Sequence, residues 1–190
     1  MNFNRPRALL LDRDGVINKD TCYLHRIQDF EFLPGAIEAC RSFQAAGYLL
    51  IVITNQAGIA RGYYTEEDFH VLNDWMIDQF KQQGVRLDRV FYSPFHPDGL
   101  EQYKQDSYCR KPNPGLILQA QGEFDIDLSA SILVGDKESD IEAGLAAQVG
   151  TCIMVRSGLP FDESKTKAHR IEDSLASVGN LFFNRIDGDV

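Results

Sequence analysis

The sequence contains little cysteine and no long apolar segment. Its four cysteines, Cys22, Cys40, Cys109 and Cys152, are scattered among 190 residues, without the close pairing that marks a disulfide framework. We therefore expect reduced thiols, with Cys40 and Cys152 in the core. No apolar run approaches the ~20 residues that a membrane-spanning helix needs. The longest run, over residues 48–54, has the length of a strand.

Positive charge is in deficit, and the first residues show no targeting segment. Lys and Arg number 19 against 28 Asp and Glu, which gives a net charge of −9. This balance argues against a general nucleic-acid surface, which would be basic. It leaves room for a small anionic ligand, since a few local cations can bind one. The N-terminus lacks an apolar stretch followed by a small-residue cleavage site. The sequence thus predicts a cytoplasmic protein with no membrane and no nucleic-acid partner.

What the sequence does contain is a regular alternation of strand and helix signals. Apolar residues make up 44% and charged residues 25%, as in ordinary globular domains, and the length predicts one domain over residues 1–190. The alternation predicts an α/β fold, a Rossmann-like three-layer parallel sheet with helices on both faces. The predicted strands are 8–11, 48–53, 90–92, 131–134 and 151–155, and the predicted helices include 35–46, one from Thr65 to near Gly84, and 175–183. The loops over residues 18–33 and 93–112 are long, but neither is long enough for a separate cap domain.

Polar residues end three of the predicted strands. Asp12 follows the first strand, Thr54 and Asn55 end the second, and Asp136 follows a later one. In parallel α/β sheets, ligands bind beyond the carboxyl ends of the strands. The sequence therefore predicts that these side chains line one site.

The run Asp12-Arg13-Asp14 places two carboxylates just beyond a strand, where both can point into one cleft while Arg13 points away. Together with Asp136 they suit Mg²⁺, a hard cation that prefers oxygen ligands. A carboxylate beside such a cation stays ionised and can attack phosphorus in line. A second carboxylate can protonate the leaving alkoxide and later deprotonate water. Asp12 is thus the candidate nucleophile, and Asp14 is the candidate acid and base.

Phosphoryl transfer also needs groups that neutralise the transferring oxygens. Thr54 offers a hydroxyl at a strand end, and Lys111 offers a compact positive charge just before a helix. Taken singly, each element has an ordinary structural explanation, since most Asp-x-Asp runs are surface loops and Thr-Asn is commonly a turn. Their order along the chain and their shared position at strand ends favour a site for phosphoryl transfer.

These elements resemble, in order, the four motifs of the haloacid dehalogenase superfamily. The corresponding positions are residues 12–15 for the nucleophile motif, 53–55 for the phosphate-binding motif, Lys111 for the lysine, and 135–140 for the metal motif. An aspartate two residues after the nucleophile is typical of the phosphatases of that superfamily. The resemblance implies a covalent aspartyl-phosphate on Asp12. It also implies a Mg²⁺ cofactor held by Asp12, the backbone carbonyl of Asp14, and Asp136.

Longer stretches are similar to the D-glycero-D-manno-heptose-1,7-bisphosphate 7-phosphatases, which act in the assembly of nucleotide-activated heptose for lipopolysaccharide. The similar stretches are residues 29–35, 54–62 and 109–115. The resemblance implies that the substrate is a heptose bisphosphate, and that Thr54 and Lys111 stabilise the phosphoryl group. It implies recognition of the sugar by Asp20, Asn55, Gln56, Arg110 and Lys137. Arg61 and Arg110 are each left open, because either could bind the second phosphate or form a surface salt bridge.

One feature of that family is degenerate here. Many members carry a zinc loop with Cys-x-His followed about a dozen residues later by Cys-x-Cys, and the matching positions are Ser93, Phe95, Ser107 and Cys109. A structural zinc needs four nitrogen or sulfur ligands, and three are missing, so the sequence predicts no zinc. Packing must then order the loop, with Phe95 and Tyr103 as candidate anchors.

Two other functions fit parts of the pattern. Histidinol-phosphate phosphatases are close relatives that share the same motifs, although residues 30–32 and 59–62 favour the heptose interpretation. A non-catalytic phosphosugar-binding protein could share the scaffold, but it would have no need of both the Asp12 nucleophile and the Asp14 acid.

The absence of a cap and the acidic charge favour a monomer. The anomer preferred at the C1 position of the sugar is not readable from the sequence.

Overall fold

The computed structural model describes residues 5–183. Residues 1–4 and 184–190, the ends of the predicted domain, lie outside the described residues. Six strands form one sheet in the order β3-β2-β1-β4-β5-β6, and each neighbouring pair is parallel. They are β1 (Ala8–Leu11), β2 (Leu49–Asn55), β3 (Arg89–Ser93), β4 (Ile132–Gly135), β5 (Thr151–Val155) and β6 (Arg170–Glu172). This parallel sheet confirms the predicted α/β class.

The helices are α1 (Ala36–Ala45), α2 (Ala57–Ala60), α3 (Glu66–Gln82), α4 (Gly115–Phe124), α5 (Glu138–Ala146) and α6 (Leu175–Phe183). Short 3₁₀ turns lie at Ile27–Asp29, Glu101–Tyr103 and Leu128–Ala130. None of the helices within residues 5–183 is long and apolar enough to cross a membrane.

The sheet is buried on both faces, which explains its unbroken apolar strands. Successive side chains of a strand point to opposite faces. Thus Leu9 and Leu11 belong to one core with residues of α1, α3 and α6, while Ala8 and Leu10 belong to the other with residues of α4 and α5. The two cores produce the predicted three layers. Cys40 lies in the first core and Cys152 in the second, as expected.

The boundaries that were predicted for strands and helices hold to within two residues. However, β6, α2 and α5 were not predicted, and α4 was expected only as a helix after Lys111. β6 has only three residues, two of them charged, so it carries no apolar run that would indicate a strand. α2 is a single turn of four residues. Helix α3 begins as predicted, since Thr65 Oγ1 accepts a hydrogen bond from Asp68 N at 3.1 Å and the Asp68 carboxylate accepts one from Thr65 N at 2.9 Å.

The strand order places the ends of β1 and β4 side by side. The chain runs from β1 to β2 and β3 on one side, and then returns to add β4 on the other side of β1. Leu11 therefore pairs with Val52 of β2 and Val134 of β4. A crevice forms where the strand order reverses in this way. Asp12 and Asp136 follow the two strands that flank it.

Candidate active site

A cavity of about 420 Å³ opens at the carboxyl edge of the sheet, a size that suits a small-molecule ligand. Most of the predicted site residues line it, namely Asp12, Asp14, Asp20, Asn55, Gln56, Arg110, Lys111 and Lys137. Thr54 and Asp136 are buried beside it, where they contact the lining residues Gln56 and Lys137. The structure thus brings all of the predicted site residues together.

Asp12 and Lys111 form a buried ion pair at the base of the cavity. Lys111 Nζ lies 2.9 Å from Asp12 Oδ1, 2.6 Å from Asp140 Oδ1 and 2.7 Å from the carbonyl oxygen of Ile53. Burial alone would raise the pKa of Asp12, but the charges of Lys111 and Lys137 outweigh it and hold that pKa below its usual value. Asp12 is therefore ionised at neutral pH.

Three carboxylates gather beside this ion pair. Asp12, Asp136 and Asp140 each offer an oxygen, and these oxygens lie within 4.8 Å of one another. Burial, followed by the nearby charge of Asp12, raises the pKa of Asp136 to about 7. Burial also raises the pKa of Asp140, even though Lys111 lies next to it. A buried, oxygen-only group with this much negative charge fits a hard divalent cation such as Mg²⁺.

Asp140 was not among the predicted site residues. It lies four positions after Asp136 in the same run of residues 135–140, and that position was its only signal in the sequence. Its carboxylate accepts a hydrogen bond from the backbone N of Lys137 at 2.9 Å, at the start of α5. The same carboxylate reaches Lys111, so Asp140 joins the run of residues 135–140 to that lysine.

Arg13 turns inward and holds Asp14. The sequence indicated only that Arg13 points away from the cleft; the structure buries it, with 1% of its surface exposed. Its guanidinium donates to both oxygens of Asp14 at 2.9–3.2 Å and to the carbonyl oxygen of Leu24 at 3.1 Å. Asn18 Nδ2 donates to Asp14 Oδ1 at 2.9 Å. These contacts fix the carboxyl group of Asp14 at the edge of the cavity.

A chain of hydrogen bonds supports the wall of the cavity beside Thr54. The hydroxyl of Tyr64 donates to Gln56 Oε1 at 2.6 Å, and Gln56 Nε2 donates to Thr54 Oγ1 at 2.9 Å. Burial raises the pKa of Tyr64, so its hydroxyl keeps its proton and remains a donor. Tyr64 also lines the cavity. Its role was not predicted, because no motif contains it.

Asn55 holds the backbone of Lys111. Its Oδ1 accepts from Lys111 N at 3.1 Å, and its Nδ2 donates to the Lys111 carbonyl oxygen at 3.0 Å. The sequence predicted a contact between Asn55 and the substrate. In the structure Asn55 lines the cavity, and both ends of its side-chain amide also bond to the lysine backbone.

The opposite wall carries Asp20 and Lys137. Lys137 Nζ lies 3.0 Å from Asp20 Oδ2 and 3.1 Å from Asp136 Oδ2. Asp20 Oδ1 accepts from Cys22 N at 2.9 Å, which holds a turn where Cys22 and Tyr23 have positive φ angles of 59° and 57°. Both of these residues line the cavity, although no motif or periodicity in this loop had indicated them.

Arg110 and Arg61 lie near one another at the rim. The Arg110 guanidinium donates to the carbonyl oxygen of Phe95 at 3.2 Å. Burial, and then the charge of Arg61, lower the pKa of Arg110. Arg61 Nη2 lies 3.3 Å from His96 Nε2, and Arg61 is not among the cavity-lining residues. The structure thus brings Arg110, but not Arg61, to the cavity wall.

A strand-end aspartate paired with a buried lysine, beside further carboxylates at the switch point of a parallel sheet, defines a haloacid-dehalogenase-like phosphatase. A family model described as "HAD-hyrolase-like" matches residues 108–180. The chain is 56% identical to the D-glycero-alpha-D-manno-heptose-1,7-bisphosphate 7-phosphatase of Burkholderia mallei, over 80% of each chain. It is 46% identical to the D-glycero-beta-D-manno-heptose-1,7-bisphosphate 7-phosphatase of Yersinia pestis, over 90% of this chain and 92% of that one.

A solved structure of a heptose bisphosphate phosphatase is also similar to this chain. The D,D-heptose 1,7-bisphosphate phosphatase from B. bronchiseptica, complexed with magnesium and phosphate, superposes with a TM-score of 0.79 at 29% identity. The match covers 94% of this chain and 99% of that one. The chain belongs to the family of heptose-1,7-bisphosphate 7-phosphatases within the haloacid-dehalogenase-like hydrolases.

Proposed function

We propose that this protein is a Mg²⁺-dependent phosphatase that removes the 7-phosphate of D-glycero-D-manno-heptose 1,7-bisphosphate through an aspartyl-phosphate. The product would serve the assembly of nucleotide-activated heptose for lipopolysaccharide. The observation that carries the proposal is the buried contact of 2.9 Å between Asp12 and Lys111, beside Asp136 and Asp140. The names of the relatives support the substrate.

Asp12 acts as the nucleophile. Its ionised carboxylate attacks phosphorus, and the bond from phosphorus to the sugar oxygen breaks. Lys111 and Thr54 stabilise the charge on the transferring oxygens. When bound, Mg²⁺ would be held by Asp12, Asp136 and the backbone carbonyl of Asp14, with Asp140 adjacent, and would neutralise charge on the phosphoryl group.

Asp14 acts as acid and then as base. It protonates the leaving sugar oxygen in the first step, and in the second it takes a proton from the water that attacks the aspartyl-phosphate. Inorganic phosphate leaves, and the Asp12 carboxylate is restored. The contacts of Arg13 and Asn18 with Asp14 support this role, since they hold its carboxyl group in one orientation.

The remaining polar groups of the cavity recognise the rest of the substrate. Asp20, Gln56 and Lys137 face the sugar, and Asn55 contributes mainly by holding Lys111. Arg110 provides positive charge for the second phosphate. The alternative, histidinol phosphate, has no second phosphate for Arg110 to bind. Several other expectations stay predictions from the sequence. They are the single domain over residues 1–190, the cytoplasmic location, the monomeric state, and the absence of zinc and of nucleic-acid or membrane partners.

Phosphate release tests the substrate. The purified protein with Mg²⁺ is incubated separately with each anomer of heptose bisphosphate, with other sugar phosphates and with histidinol phosphate, and kcat/KM is compared. We expect the highest value for one of the heptose bisphosphate anomers. A preference for histidinol phosphate would overturn the substrate assignment. A complete lack of turnover with every phosphate ester would overturn the proposal that the protein is an enzyme.

The Asp12→Asn variant tests the mechanism. The amide has nearly the same shape but is not a nucleophile, so kcat should fall by at least about a thousandfold. The melting profile should still show a folded protein. Asp78→Asn is the matched control, because Asp78 is exposed on α3, and its activity should equal that of the wild type. Substantial turnover by Asp12→Asn would remove Asp12 from the nucleophile role.

A further inference from the structure

The segment between β3 and Arg110 lacks the metal ligands that the family resemblance leads one to expect. Ser93 is fully buried at the end of β3, and Ser107 Oγ accepts a hydrogen bond from Cys109 N at 3.2 Å. Among residues 5–183, the only group of three or more potential ligands is the aspartate cluster at the end of β1 and β4. Some other interaction must therefore hold this segment against the rest of the protein.

Glu66 provides one such interaction. It is the first residue of α3, and its carboxylate accepts hydrogen bonds from two tyrosines of the segment and its approach. Tyr92 of β3 donates to Oε2, and Tyr103 of the 3₁₀ turn donates to Oε1 at 2.7 Å. These bonds hold the pKa of Glu66 below its usual value, so the carboxylate is ionised at neutral pH and accepts both of them. We call Glu66, Tyr92 and Tyr103 the tyrosine clamp.

The tyrosine clamp rests on a small apolar cluster next to the cavity. Ile59, Tyr64 and Phe69 are buried there, and both clamp tyrosines pack against them. The centroid of the Tyr92 ring lies 4.3 Å from the centroid of the Phe69 ring. Tyr64 belongs both to this cluster and to the cavity wall. The clamp is therefore connected to the wall of the site through direct side-chain contacts.

The segment held by the clamp also holds Arg110. The backbone carbonyl of Tyr103 accepts from His96 N at 3.1 Å, which fixes the stretch next to Phe95. The Phe95 carbonyl oxygen then accepts from Arg110 Nη1 at 3.2 Å. The chain of contacts is thus continuous from Glu66 through Tyr103 and His96 to the Arg110 guanidinium at the rim.

We infer that Glu66, Tyr92 and Tyr103 take the place of metal ligation in ordering residues 93–109, and that they thereby position Arg110 for the second phosphate of the substrate. All three are positioning residues, since they act through Arg110. The inference rests on the proposed function for the role of Arg110, while the ordering of the segment can be measured without any substrate.

The test uses Tyr103→Phe and Glu66→Gln in the full-length protein with Mg²⁺. Each variant removes hydrogen bonds to a charged carboxylate and leaves the apolar contacts in place. We expect KM for heptose bisphosphate to rise about tenfold with kcat within about twofold. Kinetics with p-nitrophenyl phosphate, which has no second phosphate, should be unchanged. Amide hydrogen exchange of residues 94–109 should increase in both variants.

Two controls isolate the clamp. Glu67→Gln changes the neighbouring exposed carboxylate in the same turn of α3, and Tyr108→Phe changes an exposed tyrosine of the same segment, so both should behave as the wild type. In an Arg110→Met background, Tyr103→Phe should cause no further rise in KM, because the effect passes through Arg110.

Three results would overturn the inference. The first is unchanged amide exchange and unchanged KM in both clamp variants, and the second is an equal loss of kcat/KM on both substrates. The third is a rise in KM from Tyr103→Phe that is as large in the Arg110→Met background as in the wild type. If the wild type turns over neither substrate, the proposed function fails. The exchange measurement then still decides whether the clamp orders the segment.

Discussion

Arg13 shows how much a single residue of a motif can contribute without entering the cavity. A buried guanidinium needs a partner, and Asp14 supplies both of its oxygens at 2.9–3.2 Å. The pair leaves Asp14 with one orientation at the cavity edge. We infer that Arg13 fixes the position of the proposed acid and base.

Replacing Arg13 with Met tests this interpretation. The change leaves the Asp14 carboxylate without its main partner, and breaking such a pair costs about 3 kcal/mol of unfolding free energy. Because Asp14 loses its orientation, kcat should fall at least about tenfold with little change in KM. Urea unfolding and steady-state phosphate release measure the two effects.

The control is Arg5→Met, since Arg5 forms an exposed ion pair with Asp125 and should change stability by less than about 1 kcal/mol. A wild-type kcat in Arg13→Met would show that Asp14 needs no support from Arg13.

At the scale of elements, the loop after β5 closes onto the end of β4. A Cβ atom added at Gly158 would lie 2.1 Å from Asp136 Oδ2, and one added at Gly15, where φ is +86°, would lie 2.5 Å from the same oxygen. Such distances are far below van der Waals contact. These two glycines allow the backbone to enclose Asp136, which keeps its carboxylate away from water.

Gly158→Ala should therefore weaken the magnesium site. Asp136 has to move to make room, so we expect at least a tenfold higher Mg²⁺ concentration for half-maximal activity. Overpacking should also cost about 1–3 kcal/mol of unfolding free energy. Magnesium titrations of activity and denaturant unfolding measure both.

Gly122→Ala is the matched control, because an added Cβ there, in the last turn of α4, meets nothing within 4 Å. It should leave the Mg²⁺ requirement unchanged and stabilise the helix by about 0.5–1 kcal/mol. An unaltered Mg²⁺ requirement in Gly158→Ala would contradict the proposed importance of the enclosure.

At the scale of the whole molecule, the net charge is −9, and the cavity brings cations together with carboxylates. Lys111, Lys137 and Arg110 all line it. The aspartate cluster adds the negative charge that a divalent cation would balance. The two core clusters that flank the sheet consist of apolar side chains, whereas the aspartate cluster belongs to the site.

Metal removal tests this division between the core and the site. After treatment with EDTA the protein should remain folded but inactive, and Mg²⁺ should restore activity. Mg²⁺ at 100 times its Kd should add about 2.7 kcal/mol of stability, which corresponds to roughly 5–10 °C in Tm for a chain of this size. Elemental analysis of the untreated protein should find no stoichiometric zinc.

Asp136→Asn should show little or no rise in Tm with Mg²⁺. Stoichiometric zinc, or unfolding on treatment with EDTA, would contradict the prediction that apolar and tyrosine contacts order residues 93–112.

Much of the fold could be predicted from the sequence because the relevant physics is local. Strands such as β1 and β2 are buried on both faces, so they appear as continuous apolar runs, and the polar residues that follow them mark the ligand edge. The positions of Asp12, Thr54, Lys111 and Asp136 followed from that rule and from the family resemblance. β6 escaped prediction because its burial depends on the neighbouring strand β5 and not on its own composition.

The sequence by itself determined which carboxylates follow which strands. It also determined which zinc ligands are missing. Only the tertiary structure decided which side chains meet. Asp140 reaches Lys111 across 29 positions, Asn55 reaches the same lysine across 56, and Glu66 reaches Tyr103 across 37. Such contacts depend on how separate helices and loops pack over the sheet, and no local pattern of residues encodes that arrangement.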